Sequence, residues 1–171
     1  PDLNQFMEEL GRDAAGKKAL IIDVRNNSGG RIAESILDMI EREVYAYSQS
    51  RVSDTEMVWP SGYAWTKPVV VLINEGSFSN AEIFPSGFKS LKLGTIIGTT
   101  TSGGVIGTND VQLVDGTTFR LPHVKWRTKD GKNMENLGIT PDIEIDRTPA
   151  DILKGNDPQL DRAIEELLKK I

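Results

Sequence analysis

Apolar positions along this chain recur with a helical period in some stretches and run without interruption in others. Leu3, Phe6, Met7 and Leu10 fall at i, i+3, i+4 and i+7, which predicts a first helix capped by Asp2 and ending near Gly11 or Gly16. Ala19 to Val24 is short and apolar enough for a buried strand, and it runs into the polar, glycine-closed stretch Asp23-Val24-Arg25-Asn26-Asn27-Ser28-Gly29-Gly30. Ile32, Ile36, Met39, Ile40 and Val44 predict a second helix. Arg51 to Lys67 shows no period, and Trp59, Pro60, Gly62 and Trp65 there suggest a surface excursion. Val69 to Ile73 is continuously apolar, the pattern of a strand buried on both faces. Ala81, Phe84, Phe88 and Leu91 then predict a helix over about 80–92, and Thr95 to Gly98 a further strand.

This order, α-β-α-β-α-β, is that of a largely parallel sheet flanked by helices. The second half changes character. Val111–Val114 and Thr117–Leu121 flank Asp115-Gly116, a two-residue hairpin signal, and Val124–Thr128 alternates up to a second turn at Asp130-Gly131. Ile143 to Ile145 is a last short strand. The C-terminal helix has Asp157 at the N-cap and Pro158 at N1, with Leu160, Ile164, Leu167, Leu168 and Ile171 as its apolar stripe. One α/β domain over 1–171 is the expectation.

Composition narrows the chemistry. A formal charge of −5 and the lack of any Lys/Arg cluster argue against a nucleic-acid surface. No apolar run approaches the ~20 residues of a membrane-spanning helix. Cysteine is absent, which removes disulfides, thiolate metal sites and a Cys nucleophile without fixing a compartment; the single histidine, His123, removes a His-rich metal site. No cofactor is expected. The chain starts at Pro1, as a piece of a longer protein would.

The turn Gly76-Ser77-Phe78-Ser79-Asn80-Ala81-Glu82 joins the buried strand to a helix. A serine there can stand above the sheet beside the free N–H groups of a helix N-terminus, which suits a nucleophile forming an oxyanion. Capping of the helix accounts for Ser and Asn at such a turn equally well. Glycine-bearing turns also occur at Ser28-Gly29-Gly30 and at Thr99 to Gly104; neither matches a phosphate-binding fingerprint, and both read equally as tight turns. A serine nucleophile needs a base, for which the chain offers His123, Glu82, Glu135 and lysines. His123 reads as a surface or edge histidine, and Glu135 on composition alone as a solvated acid.

Three segments in order, the 23–30 loop, Gly-Ser-Phe-Ser-Asn-Ala-Glu-Ile around Ser79 and Glu-Asn-Leu-Gly-Ile-Thr-Pro-Asp at 135–142, resemble the tricorn and C-terminal-processing (tail-specific) serine peptidases. The resemblance covers nearly the whole chain and implies the crotonase- and Clp-protease-like α/β core, with a mostly parallel sheet and a C-terminal hairpin region. C-terminal-processing enzymes use a Ser/Lys dyad, but aligning their lysine loop on Gly98 puts Gly104 where the lysine would be. The resemblance is therefore to the tricorn branch, with its Ser-His-Ser-Glu tetrad. It implies Ser79 as nucleophile, Glu135 as the acid, and an oxyanion hole from the amide of Asn80 with that of Gly29 or Gly30. It also implies Asn80, Gly103 and Gly104 at the substrate. The histidine and second serine are implied in an upstream segment that precedes a PDZ domain. Where tricorn-branch enzymes carry an acid after the nucleophile, associated with basic P1 side chains, Asn80 offers no charge. The implied partner is a peptide or unfolded polypeptide, and a homo-oligomer through this core is expected. A non-catalytic ligand-binding module on the same fold is the alternative, and the pairing of Ser79 with Glu135 argues against it.

Overall fold

The computed structural model describes residues 3–14, 16–49, 51–52, 56–59 and 64–171. Along them run α1 (Leu3–Arg12), β1 (Leu20–Asp23), α2 (Ala33–Glu41), β2 (Ala46–Gln49), β3 (Glu56–Trp59), β4 (Val69–Ile73) and α3 (Asn80–Ser90). They continue with β5 (Thr95–Gly98), β6 (Gly107–Gln112), β7 (Thr118–Val124), β8 (Ile143–Glu144), α4 (Pro149–Lys154) and α5 (Pro158–Leu168). β1, β4, β5 and β8 form one sheet in the order β1-β4-β5-β8, and every pair in it is parallel.

β4 is apolar throughout because it is covered on both faces. Its alternate residues Val69, Val71 and Ile73 pack with Phe84 and Phe88 of α3, Ile36 and Met39 of α2, and Leu10 of α1. Val70 and Leu72 point the other way and meet Ile97, Ala163 and Leu167, so α5 covers the opposite face. The period of two along a strand thus sends one sequence run into two cores. The expected parallel α/β core is observed.

Several local expectations are corrected. The second helix ends at Glu41, short of Val44; β2 follows it and pairs antiparallel with β3, which lies within the Arg51–Lys67 stretch read as irregular. Trp65, read as part of a surface excursion, is buried in the main core, its backbone N–H donating to Met39 O at 2.9 Å. Asp2, Pro60 and Gly62 lie outside the described residues. β6 begins at Gly107, and its link to β7 is longer than two residues. Gly116 N–H donates to Leu113 O, Leu113 N–H to Thr117 O, and Gly116 takes φ 84°, the signature of a four-residue turn followed by a glycine bulge. The same pattern recurs at Thr128–Lys132, where Gly131 has φ 86°. β7 itself ends at Val124, and the stretch up to Thr128 carries the isolated bridge Arg127–Asn133.

The C-terminal helix starts as expected, with Asp157 accepting from Leu160 N–H at 3.0 Å and Pro158 following. Its buried face is not the expected stripe. Gln159, Ala163 and Leu167 face the sheet, while Leu160, Ile164, Leu168 and Ile171 are 36% to 63% exposed. A polar network sets this rotation. Arg25 Nη1 donates to both Asp157 Oδ1 and Gln159 Oε1 at 2.9 Å, and Gln159 Nε2 donates to Ile145 O at 2.7 Å. Satisfying a buried amide and guanidinium outweighs burying one more leucine.

Burial alone would raise the Asp157 carboxyl, but Arg25, the Leu160 N–H and Arg147 outweigh it and hold the group below the usual carboxylate range. Asp157→Asn keeps a capping oxygen and removes the charge facing Arg25. It is expected to cost about 1–3 kcal/mol at pH 7 by urea denaturation. Because the folded carboxyl titrates below its unfolded value near 3.9, this stabilisation is complete above that pH and fades as pH falls through the folded value. The difference between the parent and the variant should therefore shrink in acid.

Candidate active site

The site lies beyond the carboxyl ends of β1, β4 and β5, where three loops meet. The first two are zipped together by side chains. Asn74 Oδ1 accepts from Asn26 N–H at 2.8 Å and Gly76 N–H at 3.1 Å, and its amide donates to Asn26 Oδ1 at 3.0 Å. Ser77, fully buried, donates to Val24 O at 2.8 Å and accepts from Asn74 N–H at 3.1 Å. Phe78 N–H donates to Asn27 O at 3.0 Å. These bonds deliver the chain to Ser79 at the N-cap of α3.

Ser79 has φ 56° and ψ −118°, a sparsely populated conformation for a residue with a side chain, which costs of order 1–3 kcal/mol. The strain is that of a sharp strand-to-helix turn that lifts a serine above a sheet. Ser79 is partly exposed. Its backbone N–H is shared by Gly104 O at 3.0 Å and Glu82 Oε1 at 3.1 Å, and the Glu82 N–H bonds the Ser79 carbonyl. Gly29 presses on this turn. A Cβ at Gly29 would lie 2.8 Å from Ser79 Cβ, 2.9 Å from Asn80 N and 2.9 Å from Phe78 O.

Among the described residues the Asn80 and Gly30 N–H groups have no hydrogen-bond partner. The Gly29 N–H, by contrast, donates to Asn27 Oδ1 at 2.8 Å. Of the two glycines expected to supply an oxyanion amide, Gly30 is the one left with a free donor. The Asn80 side chain is engaged through its oxygen alone: Oδ1 accepts from Ile32 N–H at 3.0 Å and Ala33 N–H at 2.9 Å, capping α2. Its Nδ2 has no partner among the described residues, its backbone amide is likewise open, and Asn80 lines the groove beside Ser79.

Gly103 and Gly104 are turned inward. Their N–H groups donate to Glu82 Oε2 at 2.7 Å and Oε1 at 2.8 Å, so they offer no amide to a substrate. The next two amides, of Val105 and Ile106, both donate to Glu135 Oε2 at 2.8 Å. Glu135 is thereby held against the segment that follows the Gly104 carbonyl bonded to Ser79. Its Oε1 has no partner among the described residues. The structure thus brings Ser79, Asn80, Gly30 and Glu135 to one locality.

Glu82, read from sequence only as one of several possible bases, is fully buried and accepts five hydrogen bonds. With its lone pairs occupied it cannot serve as a base. The signal for this was present: Ser-x-x-Glu at 79–82 is the spacing of a capping box, in which the glutamate reaches back to the N-cap amide.

A groove of about 620 Å³ opens beside Ser79, lined on one side by α2 through Leu37 and on the other by Ile83, Val105, Ile106 and Trp126. His123 stands on β7 with Nδ1 3.1 Å from Gly107 O and does not line this groove. No cluster of three or more acids or histidines that could hold a metal occurs among the described residues.

The model of peptidase family S41 matches residues 1–145. The tricorn protease of Thermoplasma acidophilum is 36% identical over 171 residues, covering 99% of this chain and 16% of its own length. Tricorn protease homolog 1 of Streptomyces coelicolor is 35% identical over 169 residues, 96% of this chain and 15% of its own. The crystal structure of the tricorn protease matches with TM-score 0.81 at 36% identity, covering 89% of this chain and 15% of that one. The photosystem II D1 C-terminal processing protease shares the fold, with TM-score 0.59 over 88% of this chain and 40% of its own at 24% identity. The chain therefore spans 16% or less of these tricorn relatives.

Gly29→Ala tests the close approach. With φ at +101° and two backbone atoms within 3 Å of the new methyl, it is expected to cost about 2–4 kcal/mol in urea denaturation. Gly116→Ala, at a hairpin tip with nothing within 4 Å, is expected to cost only about 1–2 kcal/mol, from its φ alone.

Proposed function

The chain belongs to peptidase family S41, and from that premise we propose that it forms the catalytic core of a tricorn-like serine endopeptidase. The observation that carries the reading is Ser79, held in a strained turn at the N-terminus of an 11-residue helix, beside two amides unpartnered among the described residues and an open groove. Ser79 Oγ attacks the scissile carbonyl of a peptide lying in the groove. The Asn80 and Gly30 N–H groups hold the developing oxyanion, and the positive end of α3 favours the same charge.

The proton released by Ser79 needs an acceptor that later returns it to the leaving amine. His123 lies on the hairpin, away from the groove, and Glu82 is saturated. We assign that acceptor to an imidazole outside these 171 residues, oriented through a second serine that donates to the open Oε1 of Glu135. Glu135 is suited to this end of the relay because two backbone amides fix its other oxygen.

In the full-length protein, Ser79→Ala is expected to lower kcat for an unstructured peptide by about 10⁴-fold or more. Glu135→Gln should cost less, since the acid orients the relay rather than attacking. The 171-residue chain alone should turn peptides over barely above background. Hydrolysis that survives Ser79→Ala would overturn the assignment. A full-length protein that cleaves nothing and binds an apolar ligand would favour a binding module instead.

A further inference from the structure

We propose that Glu82 is a positioning residue of this site, one that couples the place of the nucleophile to the place of the acid; the proposal rests on the reading of Ser79 and Glu135 above. Glu82 Oε1 accepts from Ser79 N–H at 3.1 Å, Gly104 N–H at 2.8 Å and Ser102 Oγ at 3.3 Å. Its Oε2 accepts from Gly103 N–H at 2.7 Å and from Thr101 Oγ1 at 2.5 Å. Four successive amides, Gly103 to Ile106, are therefore divided between two carboxylates, the first two to Glu82 and the next two to Glu135.

A second path runs through Thr101. Its hydroxyl, committed to Glu82 as a donor, accepts from Ile139 N–H at 2.7 Å, while Thr101 N–H donates to Ile139 O at 3.2 Å. Asn136 N–H, next to the acid, donates to Gly103 O at 2.7 Å. The loop that carries Glu135 is thus hung from the segment that Glu82 holds. The same carboxylate takes the amide of the strained Ser79. The donors converging there over-determine the turn, which is the condition for strain to persist. A shift of about 1 Å in either group is enough to lower turnover greatly without changing how substrate is bound.

A glutamine at 82 has the shape but places an NH₂ group against either Gly103 N–H or the Ser79 and Gly104 amides. In the full-length protein Glu82→Gln is expected to lower kcat by about 10²-fold with KM changed less than about threefold. Thr101→Val should lower kcat by roughly tenfold, and Thr101→Ser, which keeps the hydroxyl, should restore it to within about twofold. Because Thr101 acts through Glu82, the double variant should lose little beyond Glu82→Gln alone. Hydrogen exchange across 103–106 should quicken in Glu82→Gln and Thr101→Val and stay at the parent rate in Thr101→Ser. If Glu82→Gln does not fold, the Thr101 pair decides. Loss of kcat in Val with recovery in Ser supports the proposal; equal activity in both overturns it. Folded Glu82→Gln with parental kcat, while Ser79→Ala is inactive, would also overturn it. Activity surviving in Ser79→Ala would instead remove the nucleophile assignment on which it rests.

Discussion

A single buried carboxylate organises the loops above the sheet. Glu82 lies at the third position of α3 with no exposed surface, and all five of its partners are neutral donors. Removing a carboxylate from water costs several kcal/mol, which only a nearly complete set of hydrogen bonds offsets. The helix N-terminus contributes further, since its field favours negative charge there. Such a group tolerates little rearrangement, because each donor lost leaves both a charge and an amide unsatisfied. The strained geometry of Ser79 persists in that setting.

The position of the site follows from sheet topology. Loops after β1, β4 and β5 leave neighbouring parallel strands in the same direction, so they converge at one edge. What they bring there differs. The β1 loop contributes Gly30 and the close contact of Gly29, the β4 loop contributes Ser79, and the β5 loop contributes the amides that carboxylates grip. Glu135 arrives from much later in the chain, docked on the β5 loop rather than on the sheet. Gly138 permits that docking: a Cβ there would lie 2.4 Å from Thr101 O.

The far side of the sheet supports the same edge. Arg25, in the β1 loop, binds Asp23 through Nη2 at 2.6 Å and Asp157 and Gln159 through Nη1. It therefore ties the loop that carries Gly29 and Gly30 to the start of α5. Asp23 is exposed, but Asp157 and Gln159 are largely shielded from solvent, so their bonds to Arg25 are screened less than those of an exposed pair. The helix that covers one face of the sheet and the loop that carries Gly29 and Gly30 are thus mechanically joined.

By itself the sequence determined the elements whose signal is local. The apolar run at 69–73, the helical spacing of α1, α2 and α3, and the Asp157-Pro158 start of α5 need only neighbours along the chain to be read. So did the candidate serine, because a small polar turn between a buried strand and a helix is a local pattern. The tertiary structure decided what depends on partners far away. Which face of α5 is buried hung on Gln159 reaching Arg25 and Ile145, and no apolar count along 158–171 contains those groups. β2 and β3 were hidden because their pairing is with each other, without a continuous apolar run. The division between Gly29 and Gly30 turned on one side-chain bond from Asn27. Glu82 and Glu135, alike as acidic letters, became a saturated anchor and a half-open acceptor only when loops distant in sequence closed around them, since hydrogen-bond capacity is spent by contacts in space.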